Sequence, residues 1–104
     1  MKDEDAMRVL WTPGAIEDLK AIAHFISTDN PQAARRFADK LERRAESLCR
    51  FPNRGGIVLE IGRDDVRELV EGNYRIVYRV RKDAVHLLTI FEGHKLLQPT
   101  EFKE

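Results

Sequence analysis

Residues 74–81 read YRIVYRVR, and they decide the fold. Tyr74, Ile76, Tyr78 and Val80 alternate with Arg75, Val77, Arg79 and Arg81. A strand sends successive side chains to opposite faces. This strand therefore has one apolar, aromatic face and one face carrying three arginines. Upstream, Gly72-Asn73 separates it from VRELVE (66–71); downstream, Lys82-Asp83 separates it from AVHLLTIF (84–91). Gly-Asn between two β-rich runs signals a tight hairpin, and Lys-Asp is a weaker signal of the same kind. The stretch 66–91 is thus predicted to be a three-stranded antiparallel meander.

Two-residue turns at both ends set the register. Arg67 then faces Tyr78, Leu69 faces Ile76 and Glu71 faces Tyr74. On the other side of the central strand, Leu87 meets Tyr78, Val85 meets Val80 and Phe91 meets Tyr74. This first face is the natural bed for helices. On the second face Val77 lies opposite Leu88, Arg75 opposite Ile90, and Arg79 opposite Val66 and His86. Glu68 is diagonal to Arg75 and Arg79 and can pair with either. The second face so drawn has an apolar middle of Val66, Val70, Val77, Leu88 and Ile90. Its rim is Arg75, Arg79, Arg81 and His86. An apolar patch with a charged rim commonly marks a binding surface; alternatively the 53–65 loop or the C-terminal tail covers it.

The N-terminal half supplies the helices. RVLW (8–11) reads as a short strand. Thr12-Pro13 and Asn30-Pro31 each read as a cap followed by a first helical residue. Ile16, Leu19, Ala23 and Ile26 form one apolar stripe; Ala34, Phe37, Leu41, Ala45 and Leu48 form another. The first helix should end near Ser27-Thr28, and Phe51-Pro52 stops the second. So short a link makes an antiparallel helical hairpin. Residues 53–65 form a Gly-punctuated loop with a short strand expected at 57–61. The fold class is α+β, in the order β-α-α-β-β-β.

The 104 residues suit one domain, read as 8–95 with an acidic lead-in (1–7) and a polar tail (96–104). Met7 offers an alternative start. Lys and Arg total 18, as do Asp and Glu, so no global charge draws the chain to nucleic acid. The distribution is less even, since 74–82 holds four basic residues and no acid. The single cysteine, Cys49, excludes an internal disulfide and reads as a small apolar residue. No metal-ligand spacing, signal peptide or membrane-length apolar run is present, so no cofactor is expected and the cytoplasm is the expected location. His24 reads as a surface residue, His86 as a packing or partner-binding residue, and Trp11 as core.

The segment VREL…GNYRIVYRVRKDAVHLLTIFEGHK (66–95) resembles the C-terminal half of RelE/ParE superfamily toxins. The Arg67/Leu69 step, the Tyr74-Arg75-Ile76-x-Tyr78 strand and the closing His94-Lys95 carry that resemblance. The helix AIEDLKAIAHFI (15–26) and the second helix ending on Phe51-Pro52 extend it over about residues 8–95. It implies the toxin half of a type II toxin–antitoxin pair. It also implies a small antitoxin partner, for whose acidic, amphipathic segment the arginine-rimmed second face is suited.

The superfamily implies two activities. RelE-like members cut mRNA on the ribosome, which needs a base, an acid and cations around one phosphate. The candidates here are Arg67, Arg75, His94 and Lys95, with His94 the near-neutral titrating group. ParE-like members poison DNA gyrase and need no active site of their own. This chain has no tyrosine beyond Tyr78, where RelE-like nucleases often carry one, and its neutral charge gives little attraction to rRNA. The ParE-like reading is therefore expected. A ribosome-dependent mRNA interferase and a binding module that keeps the fold without toxicity are the alternatives. Arg67 stands apart: its register puts it on the helix-facing side, where Glu71 or Tyr78 could partner it, unless a bulge turns it outward.

Overall fold

The computed structural model describes residues 7–93. Residues 1–6 of the acidic lead-in, the polar tail, His94 and Lys95 lie outside the described residues. The elements come in the expected order. β1 (Arg8–Trp11) leads into α1 (Pro13–Ser27) and α2 (Pro31–Glu46), and then come β2 (Gly56–Ile57), β3 (Val66–Glu71), β4 (Tyr74–Val80) and β5 (Ala84–Glu92). Both helices start as their caps dictate. The Thr12 hydroxyl accepts the Ala15 amide at 3.2 Å, and the Asn30 side chain accepts the Ala33 amide at 3.0 Å. Thr12 also donates to the Leu87 carbonyl at 2.7 Å, tying the start of α1 to β5.

The sheet has five strands in the order β1-β5-β4-β3-β2, with β1 parallel to β5 and the other neighbours antiparallel. The parallel pair forms because the helical hairpin carries the chain back across the sheet. The strand expected at 57–61 is shorter and earlier, at Gly56–Ile57, because residues 58–62 close a turn in which Ile61 and Gly62 both donate to the Val58 carbonyl.

The β3–β4 register agrees with the sequence reading at every pair, and Gly72 supplies the positive φ of 59° that the hairpin turn requires. The β4–β5 register agrees near its turn, at Val80–Val85, Arg79–His86 and Tyr78–Leu87. Beyond Tyr78 it shifts by one residue, so Val77 pairs with Thr89, Ile76 with Ile90, Arg75 with Phe91 and Tyr74 with Glu92. Leu88 is the extra residue of a β-bulge. A one-residue slip moves every later side chain of the strand to the opposite face. Ile90, expected on the second face, packs under the helices; Phe91, expected under the helices, joins the second face.

The main core lies between the helices and the first sheet face. Ala15, Leu41, Ala45 and Leu48 meet Leu69, Ile76, Tyr78, Val85, Leu87 and Ile90. Phe37 closes one end with its ring edge-on to Tyr74, 5.1 Å between centroids. A second, smaller core of Val58, Val66 and Val77, with Ile61, Leu88 and Phe91 against it, lies on the opposite face. The molecule thus has helices, sheet and a covering 58–65 strap.

Candidate functional site

The arginine-bearing face of β4 is filled from within. Val66 and Val77 are fully buried beneath Val58 of the strap. Arg75, 6% exposed, donates to both Glu60 carboxylate oxygens at 2.8 and 3.0 Å and, through Nε, to Glu68. Its guanidinium also lies 5.1 Å from the Phe91 ring centre. Hydrogen bonding to Glu60 raises the Arg75 pKa, burial opposes this, and Glu68 adds to the rise. Arg79 donates to Asp65 at 2.8 Å, and Asp65 also receives Arg63 at 2.8 and 3.0 Å. The acidic, amphipathic segment expected from a partner is here the chain's own: Val58 and Ile61 supply the apolar side, Glu60 and Asp65 the carboxylates.

The open groove expected on this face is therefore not present. Of the residues assigned to it, Val66, Arg75 and Val77 are buried under the strap and Ile90 is buried on the other side of the sheet. Leu88 is half-buried against the strap. Arg79 and His86 are half-buried, and Val70 and Arg81 are exposed.

Among the described residues, the nuclease candidates Arg67 and Arg75 are not brought together. Arg67 keeps the helix-facing side that its register assigns, and β3 has no bulge to turn it outward. It is partnered by backbone, not by Glu71: its guanidinium donates to the carbonyls of Gly55 at 2.9 Å, Asp64 at 3.1 Å and Asn53 at 3.4 Å. Glu71 instead receives Lys40 and Arg44, each at 3.0 Å. Burial raises its pKa, but those two cations outweigh it and hold the carboxyl below its usual range. Tyr78 works beside Arg67, donating to the Pro52 carbonyl at 2.8 Å and accepting the Gly55 amide at 2.9 Å. Burial pushes its phenol pKa up, against the Gly55 amide. Gly55 must be glycine, since an added Cβ would lie 2.5 Å from the Glu68 carbonyl and 2.6 Å from the Tyr78 hydroxyl. Arg67 and Arg75 thus sit on opposite faces, each held by internal partners. His94 and Lys95 are outside the described residues.

A concavity that the sequence reading did not identify lies between the two helices, and Trp11 of β1 also lines it. It is a furrow of about 640 Å³ with Trp11, Ile16, Leu19, Ala23 and Ala38 along it. Through Lys20, Ala23 and Ala38 it continues toward Ser27 and Pro31 at the hairpin end. Alanines keep its floor low, and Ile16 stays 40% exposed. Glu42 and Glu46 border one end, while His24 and Arg35 border the other. From Ile16 to Ser27 α1 advances about 17 Å, or three turns of a helix. The signal was present in the sequence. Ala15 and Ile22 widen the stripe of Ile16, Leu19, Ala23 and Ile26 beyond one narrow seam, but a stripe does not say which part of it a neighbour covers.

Three comparisons bear on this arrangement. The model of a family described as the ParE toxin of type II toxin-antitoxin systems, parDE, matches residues 9–97. The chain is 37% identical over 90 residues to Toxin RelE2 of Caulobacter vibrioides, covering 86% of this chain and 98% of that protein. It is 33% identical over 91 residues to the putative toxin Y4kP of Sinorhizobium fredii, covering 85% and 90%. In fold it is similar to a chain of a chromosomal ParDE system from P. aeruginosa, with a TM-score of 0.70 at 23% identity over 85% of this chain and 97% of that one.

Proposed function

Since the chain belongs to the family of ParE toxins of type II toxin–antitoxin systems, we propose that it arrests growth by poisoning DNA gyrase. An antitoxin, the partner such a family implies, neutralises it by laying an apolar helix in the furrow between α1 and α2. The observation that supports a non-catalytic toxin is the disposition of Arg67 and Arg75. Cleavage at a 2′-hydroxyl needs an acid, a base and free cations converging on one phosphate. These two arginines point to opposite sides of the sheet and are held by carbonyls and carboxylates of the fold itself. A protein that acts by trapping another enzyme requires no such cluster.

The furrow suits a helix of about three turns, with small apolar residues facing the alanine floor. Glu42 and Glu46 favour basic residues at one end of that helix; Arg35 favours acidic residues at the other, with Lys20 between them.

The test is induction without antitoxin, with thymidine and methionine incorporation followed together and purified gyrase assayed for supercoiling and trapped cleaved DNA. DNA synthesis falling first, with cleaved complexes accumulating, is the expected result. Protein synthesis falling first would replace this reading with mRNA cleavage, and growth without arrest would leave only a binding module.

A further inference from the structure

The strap covers only part of the outer sheet face, and at the β1–β5 edge what it leaves uncovered is cationic. Alternation along β1 sends Val9 and Trp11 into the helical core, so Arg8 and Leu10 belong to the outer side. Leu10 pairs with His86, which pairs in turn with Arg79. Leu10 and His86 are half-buried and Arg8, Arg81 and Lys82 are exposed. The backbone ties these cations to one turn, since the Arg8 amide donates to the Asp83 carbonyl at 3.3 Å and the Arg81 amide to the Ala84 carbonyl at 2.8 Å. Elsewhere on the outer face, arginines are engaged by carboxylates: Arg75 by Glu60 and Glu68, Arg63 and Arg79 by Asp65. Among the described residues, Arg8, Arg81 and Lys82 make no ion pair, and Asp83 is the acid within their turn.

We propose that Arg8, Arg81 and Lys82, around the Leu10/His86 corner, form a contact for the phosphate backbone of DNA. The inference extends the gyrase-poison reading by giving the toxin a hold on the DNA of the trapped complex, and to that extent rests on it. The chemistry is that of sequence-independent binding. Guanidinium and ammonium groups on an exposed turn displace counterions from successive phosphates, and no base needs to be read. A formally neutral protein can do this because attraction over a Debye length of about 10 Å depends on the local cluster and not the total charge. A helical acidic partner is less suited to this corner, since its apolar content is Leu10 and the ring of His86, against the apolar run of the furrow.

The experiment measures binding of the full chain to a labelled duplex by fluorescence anisotropy across a salt series, with no gyrase present. Wild-type protein should show a log–log salt slope of about −3, as three phosphate contacts give. Arg8→Ala with Arg81→Ala should bring that slope to about −1 and weaken binding about tenfold or more at low salt. The same variant should keep its antitoxin affinity and its urea midpoint. An unchanged slope in the variant, or no DNA binding by the wild type, overturns the inference. So does a variant that loses antitoxin affinity instead, which would make this corner part of the partner interface. Because the assay omits gyrase, DNA binding lost in the variant would stand even if supercoiling proved unaffected, a result that would count against the gyrase reading alone.

Discussion

The carboxylate of Asp18, in α1, holds the bulge of β5: it accepts the Ile90 amide at 3.0 Å and the Thr89 hydroxyl at 2.6 Å, both through Oδ2. A bulge leaves backbone groups of the longer strand without ladder partners. Asp18 satisfies one of them and joins α1 to the sheet at the point where register changes. Asp18→Ala should therefore lower stability by about 1 kcal/mol or more, the cost of leaving a part-buried amide unpaired. The urea midpoint measures it. An unchanged midpoint would mean that packing alone maintains the bulge.

Arg75 should be the most sensitive charged position of the outer face. Its side chain is 8% exposed, and those of Glu60 and Glu68 are 18% and 21% exposed. Removing one member of a buried ionic group leaves the others uncompensated, so Arg75→Ala should cost about 3–5 kcal/mol. Adding Glu60→Gln and Glu68→Gln to that variant should recover part of the loss, because no buried charge then remains unpaired. Equal stability of the single and triple variants would show that packing over Phe91, and not charge, is what Arg75 provides.

Tyr78→Phe should cost about 1–3 kcal/mol, since it removes the group that the Gly55 amide and the Pro52 carbonyl share. Amide exchange near Gly55 should quicken more than exchange in the helices. Uniform protection across both regions would contradict the anchoring role.

Stability should fall on acidification through a defined window. Hydrogen bonding from Arg63, against burial and with help from Arg79, holds Asp65 at about 2, below its ordinary 3.8. Glu71 is shifted in the same direction. A carboxylate with a depressed folded-state pKa contributes fully above its unfolded value and loses that contribution as pH falls through the folded one. The loss should thus run from about pH 4 down to pH 2. Asp65→Asn should lower stability at neutral pH and make the acid limb shallower. An acid limb identical to the wild type would assign the dependence to other carboxyls.

Antitoxin binding should distinguish the two apolar surfaces. Ile16→Glu places a charge in the furrow, and Val70→Glu places one on the outer sheet face, where Val70 is 58% exposed. Calorimetry should show about tenfold or greater weakening for Ile16→Glu, or at least about 1.4 kcal/mol, and little change for Val70→Glu. The opposite pattern would return the antitoxin to the sheet.

Much of this architecture could be read from local signals, because they act between residues close in the chain. Thr12-Pro13 and Asn30-Pro31 set helix starts through one side-chain bond each. Gly72-Asn73 set the β3–β4 register, since a two-residue turn leaves one pairing that keeps the alternation in phase. The bulge was not legible. It depends on Asp18, 71 and 72 residues away from the groups it binds, and nothing within AVHLLTIF marks Leu88 as extra.

The same limit governed the functional surfaces. Sequence alone determined the order of elements, the family resemblance, and the existence of an apolar face ringed by arginines on β4. The alternation of Arg75, Val77 and Arg79 is a property of the strand itself. Only the tertiary structure decided what meets that face. Glu60 and Asp65 come from a loop whose path is set by Tyr78, Arg67 and Gly55, and they turn an apparent docking site into a second core. Only the packing of the two helices, likewise, left Ile16 exposed and Ala23 half-buried. Periodicity states which side chains share a face; whether another part of the chain covers that face depends on contacts between residues far apart in sequence.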